Sequence, residues 1–92
     1  MELGNHIKHY RNEKGLSQEE LAERVYVTRQ TISNWENNKN YPDINSIVLL
    51  SEVFEISIDN LIKGDLEQMK REIYRKNLTL SGIFFKLNPL FL

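Results

Sequence analysis

The stretch from Ser17 to Glu36, SQEELAERVYVTRQTISNWE, constrains the fold more than any other part of this chain. Ser17 followed by Glu20 has the pattern of a capping box, in which the serine hydroxyl and the glutamate carboxylate each accept a backbone amide at a helix N-terminus. Thr28 is a second residue of the N-cap type. The stretch therefore predicts two short helices joined by a tight turn.

The apolar residues of this stretch fall on one side of each predicted helix. Leu21 and Val25 recur at i, i+4, and Ile32 and Trp35 recur at i, i+3. Another arc of the second helix carries side chains of the kind that hydrogen-bond to base edges in DNA: Arg29, Gln30, Ser33 and Asn34. The pattern predicts a helix that is anchored by its apolar side and presents a polar face.

An amphipathic helix precedes the stretch. Leu3, Ile7 and Tyr10 recur at i, i+4, i+7, which predicts a helix from about Leu3 to Lys14. Gly15 then occupies the place where a helix ends in the left-handed conformation.

Two more helices are predicted after the stretch. A polar run ends at Pro42 and is expected to be a loop. Asp43 is placed to cap a fourth helix, which carries Ile44, Ile47, Val48, Leu50 and Phe54. Ser57 is placed to cap a short fifth helix that ends at Gly64.

The chain changes character after Gly64, so we divide it into residues 1–64, a domain that contains the central stretch, and residues 65–92, a C-terminal helix and apolar tail expected to serve dimerisation or anchoring. Asp65 with Gln68 resembles another cap, and the apolar period that follows predicts a sixth helix from about Leu66 to Asn77. Residues 78–92 are strongly apolar, but polar residues and a proline leave them short of the roughly 20 apolar residues that span a membrane.

The bulk composition narrows the function. The chain has 92 residues, no cysteine and a formal net charge of −1. Without cysteine there is no disulfide framework and no thiolate metal site, which suits a reducing cytoplasm. No secretion signal is visible at the N-terminus. A net charge near zero argues against indiscriminate nucleic-acid binding, so DNA affinity has to come from local placement of charge and from dimerisation.

The central stretch resembles the helix-turn-helix of the Cro and CI repressor family, also called the Xre family. The matching motifs are LSQEELA, VTRQTISNWE and the NxK of Asn37 to Lys39, and the resemblance runs from about Leu3 to Gly64. It implies an all-α, five-helix lambda-repressor-like DNA-binding domain, here with an additional C-terminal helix and an apolar tail. The implied function is sequence-specific binding of double-stranded DNA by a transcriptional regulator, a repressor, that acts as a dimer on a palindromic operator.

The resemblance also assigns roles to residues. Base reading falls to Arg29, Gln30, Ser33 and Asn34. Phosphate contact falls to Ser17, Gln18, Thr28, Thr31, Asn37 and Lys39. Arg11 and Glu36 are expected to form a structural ion pair between the first and third helices, with a phosphate contact as the alternative role of Arg11.

Three residues stand where the family often has glycine: Tyr26 in the turn of the helix-turn-helix, Asn38 after the third helix and Glu55 after the fourth. Asparagine tolerates a positive φ fairly well, whereas tyrosine and glutamate do so at a cost. We expect these turns to keep the left-handed conformation at some loss of stability.

The sequence gives little support for a metal site or a catalytic site. His6 and His9 lie at i, i+3, but with no third strong ligand nearby a solvated helix face is favoured over zinc, and we expect no metal and no cofactor. A catalytic nucleophile with a base and an orienting group is not visible in the sequence. We therefore expect no enzyme.

The fourth helix carries two apolar residues, Leu49 and Val53, on a face that the family usually leaves polar. They imply a cover. We expect a homodimer through Leu49, Val53, Leu66, Met69 and Ile73. The alternatives are a tail that folds back on its own monomer, or a membrane anchor if the natural chain continues beyond Leu92. The alternative function is a protein-interaction module, antitoxin-like or membrane-tethered, in which the tail dominates.

Overall fold

The computed structural model describes residues 2–65 and residue 71. Its five helices are α1 (Leu3–Glu13), α2 (Gln18–Arg24), α3 (Arg29–Glu36), α4 (Ile44–Phe54) and α5 (Ile58–Leu61). The predicted all-α, five-helix fold is confirmed. Residue 71 is helical, and the rest of the predicted sixth helix and the apolar tail lie outside the described residues. None of the helices in the described part has the length and apolarity that a membrane crossing requires.

The core draws on every helix. Its buried apolar residues are Leu3, Ile7, Leu16, Leu21, Ala22, Val25, Ile32, Trp35, Ile47, Leu50, Phe54 and Leu61. The helix α3 packs against both α1 and α2, so the polar face of α3 is held by two neighbours. Ile44 does not join the core, because at the first position of α4 its side chain remains 65% exposed.

Four helices begin at a residue whose own side chain caps them, and the sequence predicted all four caps. The hydroxyl oxygen of Ser17 accepts the Glu20 amide at 3.0 Å, and the Glu20 carboxylate accepts the Ser17 amide at 3.0 Å. The remaining three caps accept the amide three residues ahead: Thr28 from Thr31, Asp43 from Ser46 and Ser57 from Asn60. Each satisfies an amide that has no partner within its helix.

Two of these caps involve carboxylates and therefore depend on pH. Amide and hydroxyl hydrogen bonds from Ser17 lower the pKa of Glu20, and those from Ser46 lower the pKa of Asp43. Because both pKa values are lowered in the folded state, the caps stabilise the protein above the ordinary carboxyl pKa. That contribution is lost as the pH falls through the lowered pKa values.

The left-handed turns are present where they were predicted. Gly15 and Gly64 have φ values of 67° and 88°. Tyr26, Asn38 and Glu55 have φ values of 60°, 57° and 57°, so these turns keep the conformation for which glycine is the least strained residue.

The N-terminus of α1 is capped from the far end of the domain. Glu2 offers no side-chain cap of its own, and instead the Asp65 carboxylate accepts the amide of Glu2 and, at 2.8 Å, the amide of Leu3. Asp65 is completely buried. The pKa of Tyr41 is raised mainly by burial of its own side chain and secondly by the negative charge of Asp65. The predicted cap of a sixth helix pairs Asp65 with Gln68, which lies outside the described residues; in the described part, both oxygens of Asp65 accept amides at the start of α1.

Trp35 is 5% exposed and lies in the core rather than on the polar face of α3. We expect Trp35→Ala to lower the free energy of unfolding by about 3–5 kcal/mol, as truncation of large buried aromatic residues does. This is most of the stability of a small domain. Urea denaturation followed by circular dichroism measures the loss. Trp35→Phe, which keeps most of the buried surface, is the control, and a Trp35→Ala protein that unfolds at the wild-type urea concentration would contradict the assignment.

Candidate nucleic-acid interface

Two helices and the segments that follow them carry the predicted site. The helices α2 and α3 meet through buried side chains, Leu21 and Val25 on one helix and Ile32 and Trp35 on the other. The caps at Ser17 and Thr28 fix where each helix begins. As a result, the side chains on the exposed face of α3 project from a backbone that is packed on its opposite side.

The residues predicted to read bases lie together on α3. Arg29 and Gln30 are exposed, and Ser33 and Asn34 are half-buried. The amide nitrogen of Gln30 donates to the amide oxygen of Asn34 at 3.0 Å. The bond connects residues one helical turn apart and does not use the Gln30 oxygen, an acceptor, or the Asn34 nitrogen, a donor.

The residues predicted to contact phosphates surround that face, and several are bonded to it. Arg29 donates to the Gln18 side chain at 3.5 Å, and Asn37 donates to the Ser33 hydroxyl at 3.3 Å. The hydroxyls of Thr28 and Thr31 lie 2.9 Å apart. Ser17 begins α2 beside Gln18, and Lys39 is exposed in the loop after α3. The structure therefore links the two predicted sets at two points, Gln18 with Arg29 and Asn37 with Ser33.

A buried ion pair supports this surface from below. The Arg11 guanidinium contacts both oxygens of Glu36, with Nε at 2.7 Å and Nη2 at 3.1 Å. The two side chains are 11% and 4% exposed. Arg11 also donates to the carbonyl oxygen of Leu16 at 2.9 Å, and Gln18 donates to Glu36 at 3.1 Å. The network thus joins α1, the segment between α1 and α2, α2 and α3.

The contact between Arg11 and Glu36 is the ion pair that was predicted from the family resemblance. Since Arg11 spends its Nε and both Nη atoms on Glu36 and Leu16, its geometry fits the structural role rather than the phosphate contact. No buried side-chain nitrogen or oxygen in the described part lacks a hydrogen-bond partner.

The two histidines have partners inside the protein. The Nδ1 of His6 donates to the carbonyl oxygen of Leu61 at 2.8 Å, and His9 Nε2 lies 3.2 Å from a Glu13 oxygen. Within residues 2–65 and residue 71, no three acidic or histidine side chains are grouped so as to hold a metal ion.

One structural feature near the site, the close approach of α1 and α3 at Gly4, was not predicted from the sequence. An added β carbon on Gly4 would come within 2.6 Å of the carbonyl oxygen of Trp35, so α1 and the end of α3 approach closely. The amide of Gly4 also donates to the Asn38 side chain at 3.3 Å. The only signal was a glycine inside a predicted helix, which often marks a close approach of backbones.

Known proteins share this arrangement. A family model described as helix-turn-helix matches residues 7–61. The HTH-type transcriptional activator BcrR of Enterococcus faecalis is 42% identical over 65 residues, which is 71% of this chain and 32% of that protein. The chain spans 32%, 64% and 57% of the lengths of three of the curated relatives it matches.

Solved structures of DNA complexes are also similar. The c2 repressor of Salmonella phage P22 in complex with a synthetic operator has a TM-score of 0.64 and 31% identity, over 67% of this chain and 94% of that one. SinR is an HTH-type transcriptional regulator of Bacillus subtilis. The structure of SinR in complex with DNA has a TM-score of 0.62 and 37% identity, over 66% of this chain and 98% of that one.

The Arg11–Glu36 pair can be tested by a double-mutant cycle. We expect Arg11→Met and Glu36→Met each to destabilise by about 3 kcal/mol, because each leaves the other charge buried without a partner. The double variant should lose far less than the sum, since two apolar side chains replace the pair. Urea denaturation of the four proteins measures the coupling.

The exposed Lys14–Glu55 pair, with Nζ 2.5 Å from the carboxylate, is the matched control and should show a much smaller coupling. Additive losses at Arg11 and Glu36 would show that the pair does not hold α1 and α3 together.

Proposed function

This chain belongs to the Cro/CI (Xre) family of helix-turn-helix proteins, and we propose that it binds double-stranded DNA of a specific sequence and regulates transcription. The observation that carries the proposal is the polar face of α3, which is held on its other side by a buried ion pair and by the core. The P22 c2 repressor and SinR, whose structures in complex with DNA share this fold, support it.

The helix α3 enters the major groove, and its side chains read base edges. Arg29 is suited to the O6 and N7 of guanine, and Gln30 and Asn34 are suited to the N6 and N7 of adenine. Because Gln30 and Asn34 are hydrogen-bonded to each other, the orientation of both amides is set before DNA arrives. Ser33 completes this base-reading set. Each good pair is worth about 1–3 kcal/mol of discrimination.

The surrounding residues hold the sugar–phosphate backbone. Ser17 and Gln18 present the N-terminus of α2, whose amides and positive end of the helix dipole attract a phosphate. Lys39 supplies a full positive charge, and Thr28, Thr31 and Asn37 supply neutral hydrogen-bonding groups. Such contacts fix the register of α3 without reading sequence.

The charge of Glu36 does not oppose DNA binding at this surface. Its carboxylate lies under α3, close to where phosphates would approach, but both of its oxygens are bonded to Arg11. The pair is electrically neutral, so the charges among the predicted DNA-contacting residues are the positive ones of Arg29 and Lys39. A chain with a net charge of −1 can therefore present a face that attracts DNA.

A homodimer reads the operator. In the described part, Leu49 and Val53 are half-buried and pack against the edge of the core, which leaves part of each available to a partner. With Leu66, Met69 and Ile73, which lie outside the described residues, they form the dimer contact. A two-fold pair places two copies of α3 about 34–36 Å apart on a palindromic site. The dimer acts in the cytoplasm and represses by occluding a promoter.

Substitutions should separate base readers from phosphate contacts. Arg29→Ala, Gln30→Ala and Asn34→Ala should each relax specificity at particular base pairs by about 1–3 kcal/mol. Gln18→Ala should weaken binding to all duplexes alike, and Lys39→Ala should also lower the salt slope by about one. Operators selected from a random duplex library, followed by titrations on single-base variants at several salt concentrations, measure both effects.

Lys63→Ala removes an exposed cation beyond α5 and is the control for Lys39→Ala. A wild-type protein with no preference among duplexes would contradict the proposed function itself. Equal losses for all five variants across the operator panel would contradict only the sorting of residues.

If the chain forms a homodimer, its apparent molecular mass in solution should rise with protein concentration. We expect the full chain to sediment as a dimer at tens of micromolar and a chain ending at Asp65 to be a monomer, because Leu66, Met69 and Ile73 are then missing. The shorter chain keeps Asp65 since that residue caps α1. Sedimentation equilibrium of both chains measures the difference. A monomeric full chain, or a shortened chain that dimerises equally well, would be the contrary result.

A further inference from the structure

The turn between α2 and α3 displays one tyrosine to solvent. Tyr26 is 83% exposed although both of its neighbours point inward, Val25 fully buried and Val27 half-buried. The Val27 amide closes the turn by donating to the carbonyl oxygen of Ala22 at 3.0 Å. The backbone of the turn is therefore fixed, and the phenol ring extends away from the core.

The fold gains little from a tyrosine at this position. Its φ of 60° lies in the left-handed region, where a β carbon is strained and glycine is not. The exposed ring contributes almost no burial. Within residues 2–65, no hydrogen bond involves the Tyr26 hydroxyl. A strained residue that the surrounding fold does not need is a candidate for a functional role.

The two other strained residues make the contrast clear. Asn38 has the same backbone conformation, and its side chain accepts the amide of Gly4. Glu55 has it too, and its carboxylate accepts the Lys14 ammonium group at 2.5 Å. Both side chains therefore have a partner inside the protein. Tyr26 alone among the three directs its polar group to solvent.

The location of Tyr26 indicates what the hydroxyl meets. The turn lies two residues before Thr28, the N-cap of α3, and three before Arg29. When the start of α3 is in the major groove, the turn is at the edge of the groove, where the sugar–phosphate backbone passes. A phenol offers one donor, and a bond from a neutral hydroxyl to an anionic oxygen is among the stronger hydrogen bonds.

We propose that Tyr26 contacts DNA directly, with its hydroxyl donating a hydrogen bond to a phosphate oxygen at the edge of the groove that α3 enters. The proposal rests on the proposed function and adds a residue to that interface. The contact positions α3 on the duplex and carries no sequence information. Because tyrosine is neutral, it releases no counterion, which distinguishes it from the contact assigned to Lys39.

The test removes the hydroxyl alone. Tyr26→Phe should weaken binding about tenfold, since a hydrogen bond to a charged group is lost. The loss should be equal for the selected operator and for its single-base variants, and the salt slope should stay at the wild-type value. Tyr10→Phe removes a hydroxyl from a half-buried ring that packs against Phe54 at a tilt, and it should keep wild-type affinity.

A second substitution separates function from stability. Tyr26→Gly should weaken binding at least as much as Tyr26→Phe while raising Tm, because it relieves the left-handed strain. Glu55→Gly relieves the same strain away from the interface, so it should raise Tm and leave affinity unchanged. Opposite signs for Tm and affinity at position 26 are the signature of a functional residue held under strain.

The outcomes are distinct. Wild-type affinity in Tyr26→Phe would overturn the contact, and a loss confined to particular base pairs would overturn the assignment to phosphate. A Tyr26→Gly protein that is less stable than wild type would show that the tyrosine serves the fold. If the wild-type chain selects no duplex, the proposed function fails instead of this inference.

Discussion

The position of α3 depends on one buried ion pair. Arg11 lies near the end of α1 and Glu36 at the end of α3, and their contact joins two residues that are 25 positions apart in sequence. A carboxylate at a helix C-terminus is unfavourable by itself, because the helix dipole places negative charge there. Arg11 neutralises that charge. Its planar guanidinium accepts only a narrow range of geometries, so the pair also fixes the angle between the helices.

The opposite end of α1 is fixed by a second long-range contact. Asp65 binds the amides at the start of α1, and the close approach at Gly4 then sets the distance from α1 to the end of α3. Since Arg11 holds the other end of α1, this helix is tied at both termini. The residue that begins the C-terminal segment is therefore tied to the same group of helices as the polar face of α3.

Much of this domain could be predicted from the sequence because its signals are local. The caps at Ser17, Thr28, Asp43 and Ser57 depend on residues three positions apart, and the core stripes depend on helical periodicity. The Arg11–Glu36 pair and the left-handed Tyr26 required resemblance to a known family, since nothing nearby in sequence marks them. The contact of Asp65 with the start of α1 was not predicted, because a contact across 62 residues leaves no local pattern in the sequence.

On the proposed function, one copy of the domain is expected to bind DNA weakly. The face assembled around α3 offers Arg29 and Lys39 as free positive charges, while Arg11 is neutralised by Glu36. The electrostatic part of DNA binding grows with the number of phosphates that are neutralised, so a single face releases few counterions. Pairing two faces doubles that number and links the two binding events, which raises affinity without adding a charge to either chain. On the proposed function, dimerisation and neutral contacts such as Tyr26 therefore supply what the net charge of the chain does not.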